Sequence, residues 1–495
     1  MAALRSQPVT ADRAGSTVAA PRRPSLCVVG DALLDVDWEG AVQRVCRDAP
    51  APVLDTPTER VRPGGAALAA ALAAASGAEV TLVTALGVDD DARRLADLLA
   101  AAQVEVVDLG LDAPTPVKLR LRAEGHSIAR VDRGCEPVVP PGPWSDRAAA
   151  AARSAGALLV SDYGRGMAAL PGLAAAARTR RGPTVWDPHS LGPRPPGTTT
   201  VATPNLGEAH ALVGGEGPPP DRLPDVVALA AAVSASLECP AAVTAGPLGA
   251  VLADGRSLPT VVPTTPVRGD ACGAGDRMAA STALALAGGA TVLEAVERGV
   301  ADARAYVAAG DEAPGLPPPA GGAVVDLHAA RGAGEASGIR DAGGTGDVET
   351  ARGVRRAGGV VVAAGGCFDV LHAGHVQLLD QARRLGDHLV VCLNSDRSVR
   401  RLKGPGRPLN TADDRAAVLR SLASVDGVVV FDEDTPSRAL EAVRPHVFVK
   451  GADYLGVDLA EREVLARWGG HVVLLPLVAG RSTTRIIATA AETGA

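Results

Sequence analysis

The densest group of chemically capable side chains lies at residues 365–375, which read Gly-Gly-Cys-Phe-Asp-Val-Leu-His-Ala-Gly-His. The apolar run 360–364 before this segment predicts a buried strand, and regularly spaced leucines after it predict a helix. A strand that turns directly into a helix N-terminus offers backbone N–H groups and a positive dipole end to a phosphate. His372 and His375 would face such a ligand, and Gly366 would let the backbone approach it closely.

The two histidines also have ordinary explanations. They could be metal ligands, although no third ligand follows at a convincing spacing, or surface residues that cap a helix. The whole strand–turn–helix segment is more specific, and it resembles the signature of the nucleotidyltransferase superfamily that includes the cytidylyltransferases and the phosphopantetheine adenylyltransferases. The resemblance implies a Rossmann-like domain in which Gly366, Phe368 and Asp369 contact ATP.

Four later segments, residues 393–396, 401–404, 449–454 and 481–487, extend this resemblance. It implies that an ionised sugar phosphate attacks the α-phosphorus of ATP, so that positioning and charge neutralisation provide the catalysis. The resemblance implies that the charge of the phosphates is bound by His372, His375 and Lys403. It also implies that Asp396 helps to place the substrate and that pyrophosphate is bound by Ser482, Thr483 and Thr484. Three hydroxyl residues at a helix start could also be an ordinary cap.

A second candidate group, residues 270–276, reads Asp-Ala-Cys-Gly-Ala-Gly-Asp and precedes a long Ala/Leu helix. Gly273, Ala274 and Gly275 at the helix start would supply backbone N–H groups and the positive dipole end, which suit a phosphate in transfer. Asp276 could take the proton of a sugar hydroxyl. Alone, the segment could be a simple turn.

Two further motifs lie upstream of this group. Gly64 and Gly65 open another predicted helix, and Asn205 with Glu208 follow a strand and could hold Mg²⁺ through its water shell. Singly, these are also explained as a glycine loop and a helix cap with a solvated charge. In this order the motifs resemble the ribokinase-like carbohydrate kinases. Five segments resemble the heptose 7-phosphate kinase branch: residues 30–35, 116–120, 129–132, 161–163 and 186–188.

The kinase resemblance implies an α/β fold of three layers, α/β/α, and assigns roles within it. Asp276 would be the base for the anomeric hydroxyl, with residues 273–275 as the anion hole. The phosphosugar contacts would be Asp31, Gly64, Gly65, Lys118 and Arg130. The chain departs from the family pattern at Leu68, where Asn is usual, and at Arg277, where a small hydroxyl residue is usual. A kinase half that acts on another sugar phosphate, or only binds one, is therefore an alternative.

Composition limits the classes of protein. The hydrophobic content of 47% supports packed cores, and the aromatic content of 2% means that Ala, Val and Leu build them. The net charge of -7 provides no basic surface for nucleic acid. Seven scattered cysteines without a Cys-x-x-Cys pair argue against a disulfide framework or zinc site and suit a reducing cytoplasm. No apolar run reaches membrane-spanning length.

Two α/β halves are predicted on either side of a linker. Over residues 25–328 strand-like runs alternate with Ala-rich helical stretches, which predicts a parallel sheet with helices on both faces. A second series occupies residues 358–495. Residues 329–357 are rich in Gly, Ala and Arg and predict a flexible linker, and residues 1–24 predict a disordered tail.

Fused in this order, the halves resemble the bifunctional enzymes of ADP-heptose biosynthesis. The first half would make heptose 1,7-bisphosphate from the 7-phosphate and ATP, and the second would adenylylate heptose 1-phosphate after a separate phosphatase has acted. ATP and Mg²⁺ are the implied cofactors, heptose phosphates are the expected partners, and a homodimer through the kinase half is a further expectation. An enzyme pair for another sugar phosphate and another nucleotide is the alternative.

Overall fold

The structure is a computed structural model that describes residues 23–46, 52–123, 126–267, 269–310, 344–451 and 459–475. In the first half, short runs of Val, Leu and Ala form buried strands, the pattern of a sheet covered by helices. The strands are β1 (Ser25–Gly30), β2 (Ala32–Val45), β3 (Pro52–Gly65), β4 (Glu79–Thr84), β5 (Val104–Asp108), β6 (Val117–Ala123), β7 (His126–Arg133), β8 (Ala157–Ser161), β9 (Thr184–Asp187), β10 (Val201–Ala202), β11 (Ala241–Thr244), β12 (Ala250–Ala253) and β13 (Thr260–Val262).

Most of these strands form one sheet. The order is β5-β4-β1-β8-β9-β10-β11-β12-β13, parallel as far as β11 and antiparallel beyond it. Later strands of the chain pair with both edges of β1, β4 on one side and β8 on the other. The carboxyl end of β1 is therefore a switch point, where open α/β sheets bind ligands. Strands β3, β2, β6 and β7 form a separate four-stranded sheet.

Helices cover the main sheet, as the alternating pattern predicts. They are α1 (Ala66–Ala75), α2 (Asp90–Ala101), α3 (Asp146–Ser154), α4 (Pro171–Thr179), α5 (Leu206–Leu212), α6 (Leu223–Leu237), α7 (Ala274–Ala287) and α8 (Val292–Ala309), with 3₁₀ turns at Met167–Ala169 and Gly246–Leu248. Helix α1 contains only Ala and Leu, and its small side chains let it pack closely in the core beside α7.

Among its described residues, the second half forms five parallel strands with their own helices. Its strands are β14 (Val361–Gly366), β15 (His388–Asn394), β16 (Gly427–Phe431), β17 (Val447–Gly451) and β18 (His471–Leu475). Its helices are α9 (Gly344–Arg356), α10 (Ala373–Arg384), α11 (Asp396–Lys403), α12 (Ala412–Arg420), α13 (Ser437–Val443) and α14 (Glu461–Ala466). The strand order β16-β15-β14-β17-β18 puts the switch point at β14, where the motif at residues 365–375 begins.

Two features of the junction differ from the sequence-based expectation. Helix α9 occupies the last part of residues 329–357, because Val348, Ala351 and Val354 form an apolar face that packs into the core of the second half. The two sheets are also continuous: Thr260 of β13 pairs with Leu474 of β18, whose N–H donates to the Pro259 carbonyl at 3.1 Å.

No helix among the described residues combines the length and apolar character required to cross a bilayer.

Candidate active sites

Asp276 lies in the first turn of α7, with 5% of its surface exposed. The Tyr163 hydroxyl donates to both carboxylate oxygens, at 2.9 Å to Oδ1 and 2.8 Å to Oδ2. Burial raises the pKa of Asp276 to about 7, although donation from Tyr163 acts in the opposite direction. A carboxylate that titrates near neutral pH is well matched to accepting a proton from a hydroxyl.

The loop before this residue, predicted to be an anion site, ends at the N-terminus of α7. Gly273 caps α7 with φ of 87°, a left-handed conformation that favours glycine. A Cβ there would lie 2.7 Å from Leu68 Cδ2 and 2.8 Å from the Tyr306 hydroxyl oxygen. Ala274 and Gly275 follow in the first turn, where backbone N–H groups lack helical acceptors. The three residues therefore lie at a helix N-terminus, and their contact with phosphate stays a prediction.

An apolar cavity of about 270 Å³ adjoins this loop. Part of its wall comes from Ala274 and Gly275, and the rest includes Thr244, Gly246, Thr264, Val300 and Val307. A concave, mostly apolar lining of this kind is typical of small-molecule sites. The sequence does not predict this lining, because the residues come from a strand, loops and α8 and form no contiguous motif.

Asp31 follows β1 at the switch point, and its carboxylate organises the turn after β8. It accepts hydrogen bonds from the backbone N–H groups of Tyr163 at 3.0 Å, Arg165 at 3.1 Å and Met167 at 3.1 Å. These bonds fix the turn from which Tyr163 reaches Asp276. The predicted contact between Asp31 and the phosphosugar stays a prediction.

The other predicted phosphosugar residues separate into two groups. Lys118 Nζ lies 5.3 Å from the centre of the Tyr163 ring, which places its charge near the proposed base. Gly64 and Gly65 end β3, where an added Cβ would collide with the segment that follows β1. Arg130 instead lies on the exposed strand β7 and forms an ion pair within that strand. The structure thus brings the lysine and the glycines toward the site, but not Arg130.

The departures from the kinase pattern at Leu68 and Arg277 serve packing. Arg277 Nη1 donates to the Leu72 carbonyl at 3.1 Å and to Ser76 Oγ at 2.8 Å, and Nη2 lies 3.5 Å from the Asp302 carboxylate. Leu68 is buried in a small apolar cluster with Leu72. Arg277 therefore ties α1 and α8 to α7, and it leaves the carboxylate one residue earlier accessible to Tyr163.

The residues assigned to Mg²⁺ cap α5. Asn205 Oδ1 accepts from the Glu208 N–H at 3.0 Å, and Glu208 Oε2 accepts from the Asn205 N–H at 2.8 Å. Burial raises the pKa of Glu208 to about 6, and the charge of Asp162 acts in the same direction. Burial also raises the pKa of Asp187 well above its usual value, with Glu208 and Asp276 contributing. Mutually repelling carboxylates fit a divalent cation held through water.

Within the described ranges, however, no three or more His, Cys, Asp or Glu side chains are grouped as a ready metal site.

His372 and His375 lie at the switch point of the second sheet. His372 is the N-cap of α10, and the two rings stack with centroids 3.9 Å apart. Burial lowers the pKa of His375 to about 4, and positive charge on His372 and Lys403 lowers it too. His375 is therefore neutral near pH 7 and can offer an N–H donor. Lys403, at the end of α11, is one of the positive charges near this pair.

Gly366 and Phe368, two of the residues predicted to contact ATP, determine the conformation of the turn between β14 and α10. Phe368 is buried with φ of 44°, and its ring centroid lies 5.2 Å from that of His375. A Cβ on Gly366 would lie 3.1 Å from the Phe368 ring. These residues hold the two histidine rings at the carboxyl end of β14.

Asp369 fixes the loop that follows α11. Its Oδ1 accepts from the N–H groups of Leu409 at 2.7 Å and Asn410 at 3.1 Å, and Arg407 Nε lies 2.7 Å from Oδ2. Its contact with ATP stays a prediction. The predicted pyrophosphate residues Ser482, Thr483 and Thr484 lie outside the described residues.

Arg415, which the sequence motifs do not include, joins the parts of this site. Its side chain is 1% exposed. Nη1 donates to the carbonyls of Cys367 at 2.5 Å and Asn394 at 2.9 Å, and Nε donates to that of Asn410 at 3.1 Å. Nη2 pairs with the Asp396 carboxylate at 2.8 Å, so the predicted substrate residue is positioned by Arg415. The available signal was an arginine on the face of α12 that is buried with Ala416 and Leu419, where an apolar residue is the norm.

Two family profiles match the chain in succession. The pfkB family of carbohydrate kinases matches residues 23–317, and the cytidylyltransferase-like family matches residues 363–485. Asp276 lies in the first match, and His375 lies in the second. Together with the two sheets, these matches define a carbohydrate kinase followed by a nucleotidyltransferase.

Curated relatives span both halves. Bifunctional protein HldE of Streptomyces coelicolor is 49% identical, covering 95% of this chain and 97% of that protein. Bifunctional protein HldE of Halorhodospira halophila is 40% identical, covering 93% and 96%. A solved structure of Arabidopsis thaliana ribokinase complexed with ribose and ATP is 21% identical, with a TM-score of 0.48, covering 60% of this chain and 96% of that chain.

The chain belongs to the HldE family of bifunctional enzymes, which combine heptose 7-phosphate kinase and heptose 1-phosphate adenylyltransferase activities in ADP-heptose biosynthesis. Family membership confirms the predicted fold class and both predicted enzyme classes.

Proposed function

We propose that the chain catalyses two ATP-dependent reactions of ADP-heptose biosynthesis at two separate sites. The kinase half phosphorylates heptose 7-phosphate at the anomeric hydroxyl, and the second half transfers AMP from ATP to heptose 1-phosphate. The observation that carries the proposal is that one chain of the HldE family has both the Asp276 carboxylate at a helix N-terminus and the His372–His375 pair at a switch point.

In the kinase reaction the anomeric hydroxyl gives its proton to Asp276 while its oxygen bonds to the γ-phosphorus of ATP. The bond from that phosphorus to the bridging oxygen breaks, and ADP leaves. The N–H groups of residues 273–275 stabilise the charge on the transferred group. Mg²⁺, when bound, would neutralise phosphate charge, with Asn205 and Glu208 holding its water shell.

In the second reaction an oxygen of heptose 1-phosphate bonds to the α-phosphorus of ATP, and pyrophosphate leaves. The attacking oxygen is already ionised, so this reaction requires no protein base. His372 and His375 donate N–H hydrogen bonds to the phosphates, and Lys403 provides positive charge. Arg415 acts indirectly, since it fixes Asp396 and the ends of two strands.

The two reactions are not consecutive, because the first yields a bisphosphate and the second requires a monophosphate. A separate phosphatase must remove the 7-phosphate between them. Direct transfer of an intermediate from one site to the other is therefore not required by the fusion. We expect both reactions in the cytoplasm, where ATP is available and cysteines stay reduced.

We also propose a homodimer through the kinase half. The four-stranded sheet exposes apolar side chains, with Trp38 38%, Ile128 40% and Val131 45% exposed. A second copy of the chain would cover them. Light scattering of the purified protein, alone and with Val131→Asp, tests this: a monomer in both samples would contradict it.

The function is tested by product analysis of the intact protein with Mg²⁺ and ATP. Heptose 7-phosphate should yield the bisphosphate and ADP, and heptose 1-phosphate should yield ADP-heptose and pyrophosphate. Other sugar phosphates and other nucleoside triphosphates are the specificity controls. Adenylylation without phosphorylation of any sugar phosphate would refute the kinase assignment, and the reverse pattern would refute the transferase assignment.

A further inference from the structure

We propose that Tyr163 is a positioning residue of the kinase: its hydroxyl holds the Asp276 carboxylate oriented and ionised, ready to accept the proton of the sugar. The inference rests on the proposed role of Asp276 as the base. It assigns Tyr163 no share of the proton transfer itself.

Hydrogen bonds hold Tyr163 both at its backbone N–H and at its hydroxyl. The hydroxyl lies 2.9 Å and 2.8 Å from the two oxygens of Asp276, so one O–H is shared by the whole carboxylate. The backbone N–H of Tyr163 is held at 3.0 Å by Asp31, and Lys118 Nζ lies 5.3 Å from its ring centre. The side chain therefore has little freedom to turn away.

The electrostatic surroundings explain why such a donor matters. Most ionisable groups that act on Asp276 come from other elements: carboxylates on Asp35, Asp187 and Glu208, the ammonium of Lys118, and the hydroxyl of Tyr163. The Tyr306 hydroxyl also lies near Asp276, but it donates to the Cys272 carbonyl. Burial and the three carboxylates disfavour a charged Asp276. The hydroxyl of Tyr163 and the charge of Lys118 favour it.

Tyr163 can do this without blocking the reaction. An ionised carboxylate has about four lone-pair positions, so one shared O–H leaves positions for the sugar hydroxyl. Burial and the charge of Asp276 raise the pKa of Tyr163 well above its usual value, so the phenol keeps its own proton. A neutral donor also adds no charge that would compete with Mg²⁺ for the carboxylates.

The first test is Tyr163→Phe, with heptose bisphosphate formation measured across pH. We expect kcat near neutral pH to fall about 10-fold to 100-fold, the range for a lost hydrogen bond to a charged group. The acid limb should move to higher pH, with partial recovery in alkaline buffer and little change in KM for ATP. Adenylyl transfer by the same sample reports the integrity of the second half.

Tyr306→Phe is the matched control. Its hydroxyl donates to the Cys272 carbonyl at 3.2 Å, beside the same loop, without bonding to Asp276. This variant should keep the wild-type midpoint of the pH profile even if its rate changes. A lower rate in Tyr163→Phe with an unmoved midpoint would reduce Tyr163 to a packing role and overturn the inference.

A second test avoids any loss of packing. The sequence contains only three tyrosines, Tyr163, Tyr306 and Tyr454, so 3-fluorotyrosine can replace all of them. Fluorine makes the phenol a stronger donor, so the acid limb of the kinase should move to lower pH, opposite to Tyr163→Phe. Unmoved profiles in both experiments would refute the inference, whereas an inactive wild-type kinase would instead refute the proposed function.

Discussion

Replacing Arg415 by Met tests whether one buried cation holds the transferase site together. Its side chain, 1% exposed, donates to the carbonyls of Cys367, Asn394 and Asn410 and to the Asp396 carboxylate. Breaking a buried ion pair by removing one partner costs about 3–5 kcal/mol. We expect the lower end because Asp396 is 29% exposed. At about 1.36 kcal/mol per tenfold change, the equilibrium constant for folding of this half should fall about 100-fold.

The assay combines urea unfolding with pyrophosphate release from ATP and heptose 1-phosphate. Arg415→Met should unfold the second half at lower urea and lose most adenylyl transfer, because the ends of β14 and β15 are no longer joined. Heptose bisphosphate formation by the same sample should remain. Asp396→Asn should be milder for stability, since the guanidinium then keeps its three carbonyl acceptors.

Arg438→Met is the surface control for this experiment. The Arg438 side chain is 82% exposed and pairs with Glu433 at 3.1 Å. Such exposed pairs contribute about 0–1 kcal/mol. If Arg415→Met unfolded and adenylylated like Arg438→Met, the proposed organising role of Arg415 would be wrong.

Three further predictions concern single side chains. Asp276→Asn should abolish bisphosphate formation but spare adenylyl transfer. Burial raises the pKa of Asp276 to about 7, so kcat/KM of the wild-type kinase should fall as the pH drops through that value and the base is protonated. A flat profile would contradict this. His375→Ala should slow adenylyl transfer by about 100-fold to 1000-fold, the effect of losing one preorganised donor, with bisphosphate formation as its internal control. Arg277→Leu should lower the melting temperature, since the bonds to Leu72 and Ser76 disappear, yet keep the kinase pH midpoint; an unchanged melting temperature would contradict the packing role.

Much of the fold was predictable because its strands are short runs of Val, Leu and Ala between recognisable turns. The motif at residues 365–375 identified the switch point of the second sheet for the same reason: strand, turn and helix are adjacent in sequence. Helix α9 was not predicted because residues 329–357 are rich in Gly, Ala and Arg and have few large apolar residues. Only the spacing of Val348, Ala351 and Val354 indicated its apolar face.

Contacts between distant residues could not be predicted in this way. Tyr163 and Asp276 are 113 positions apart, and each was identified only within its own motif. Arg415 looks like one arginine among many until its acceptors meet at the ends of two strands. Asp31 was predicted to contact the sugar. In the structure its carboxylate accepts three backbone hydrogen bonds from the turn after β8, which is far from Asp31 in the sequence.

The most direct test of the central claim, that one chain has two independent active sites, is mass spectrometry of products from wild type, Asp276→Asn and His375→Ala. Each protein receives ATP and Mg²⁺ with either heptose 7-phosphate or heptose 1-phosphate. Wild type should make both the bisphosphate and ADP-heptose, and each variant should lose only the product of its own half. Loss of both products in either variant, or a wild type that makes only one, would contradict the account.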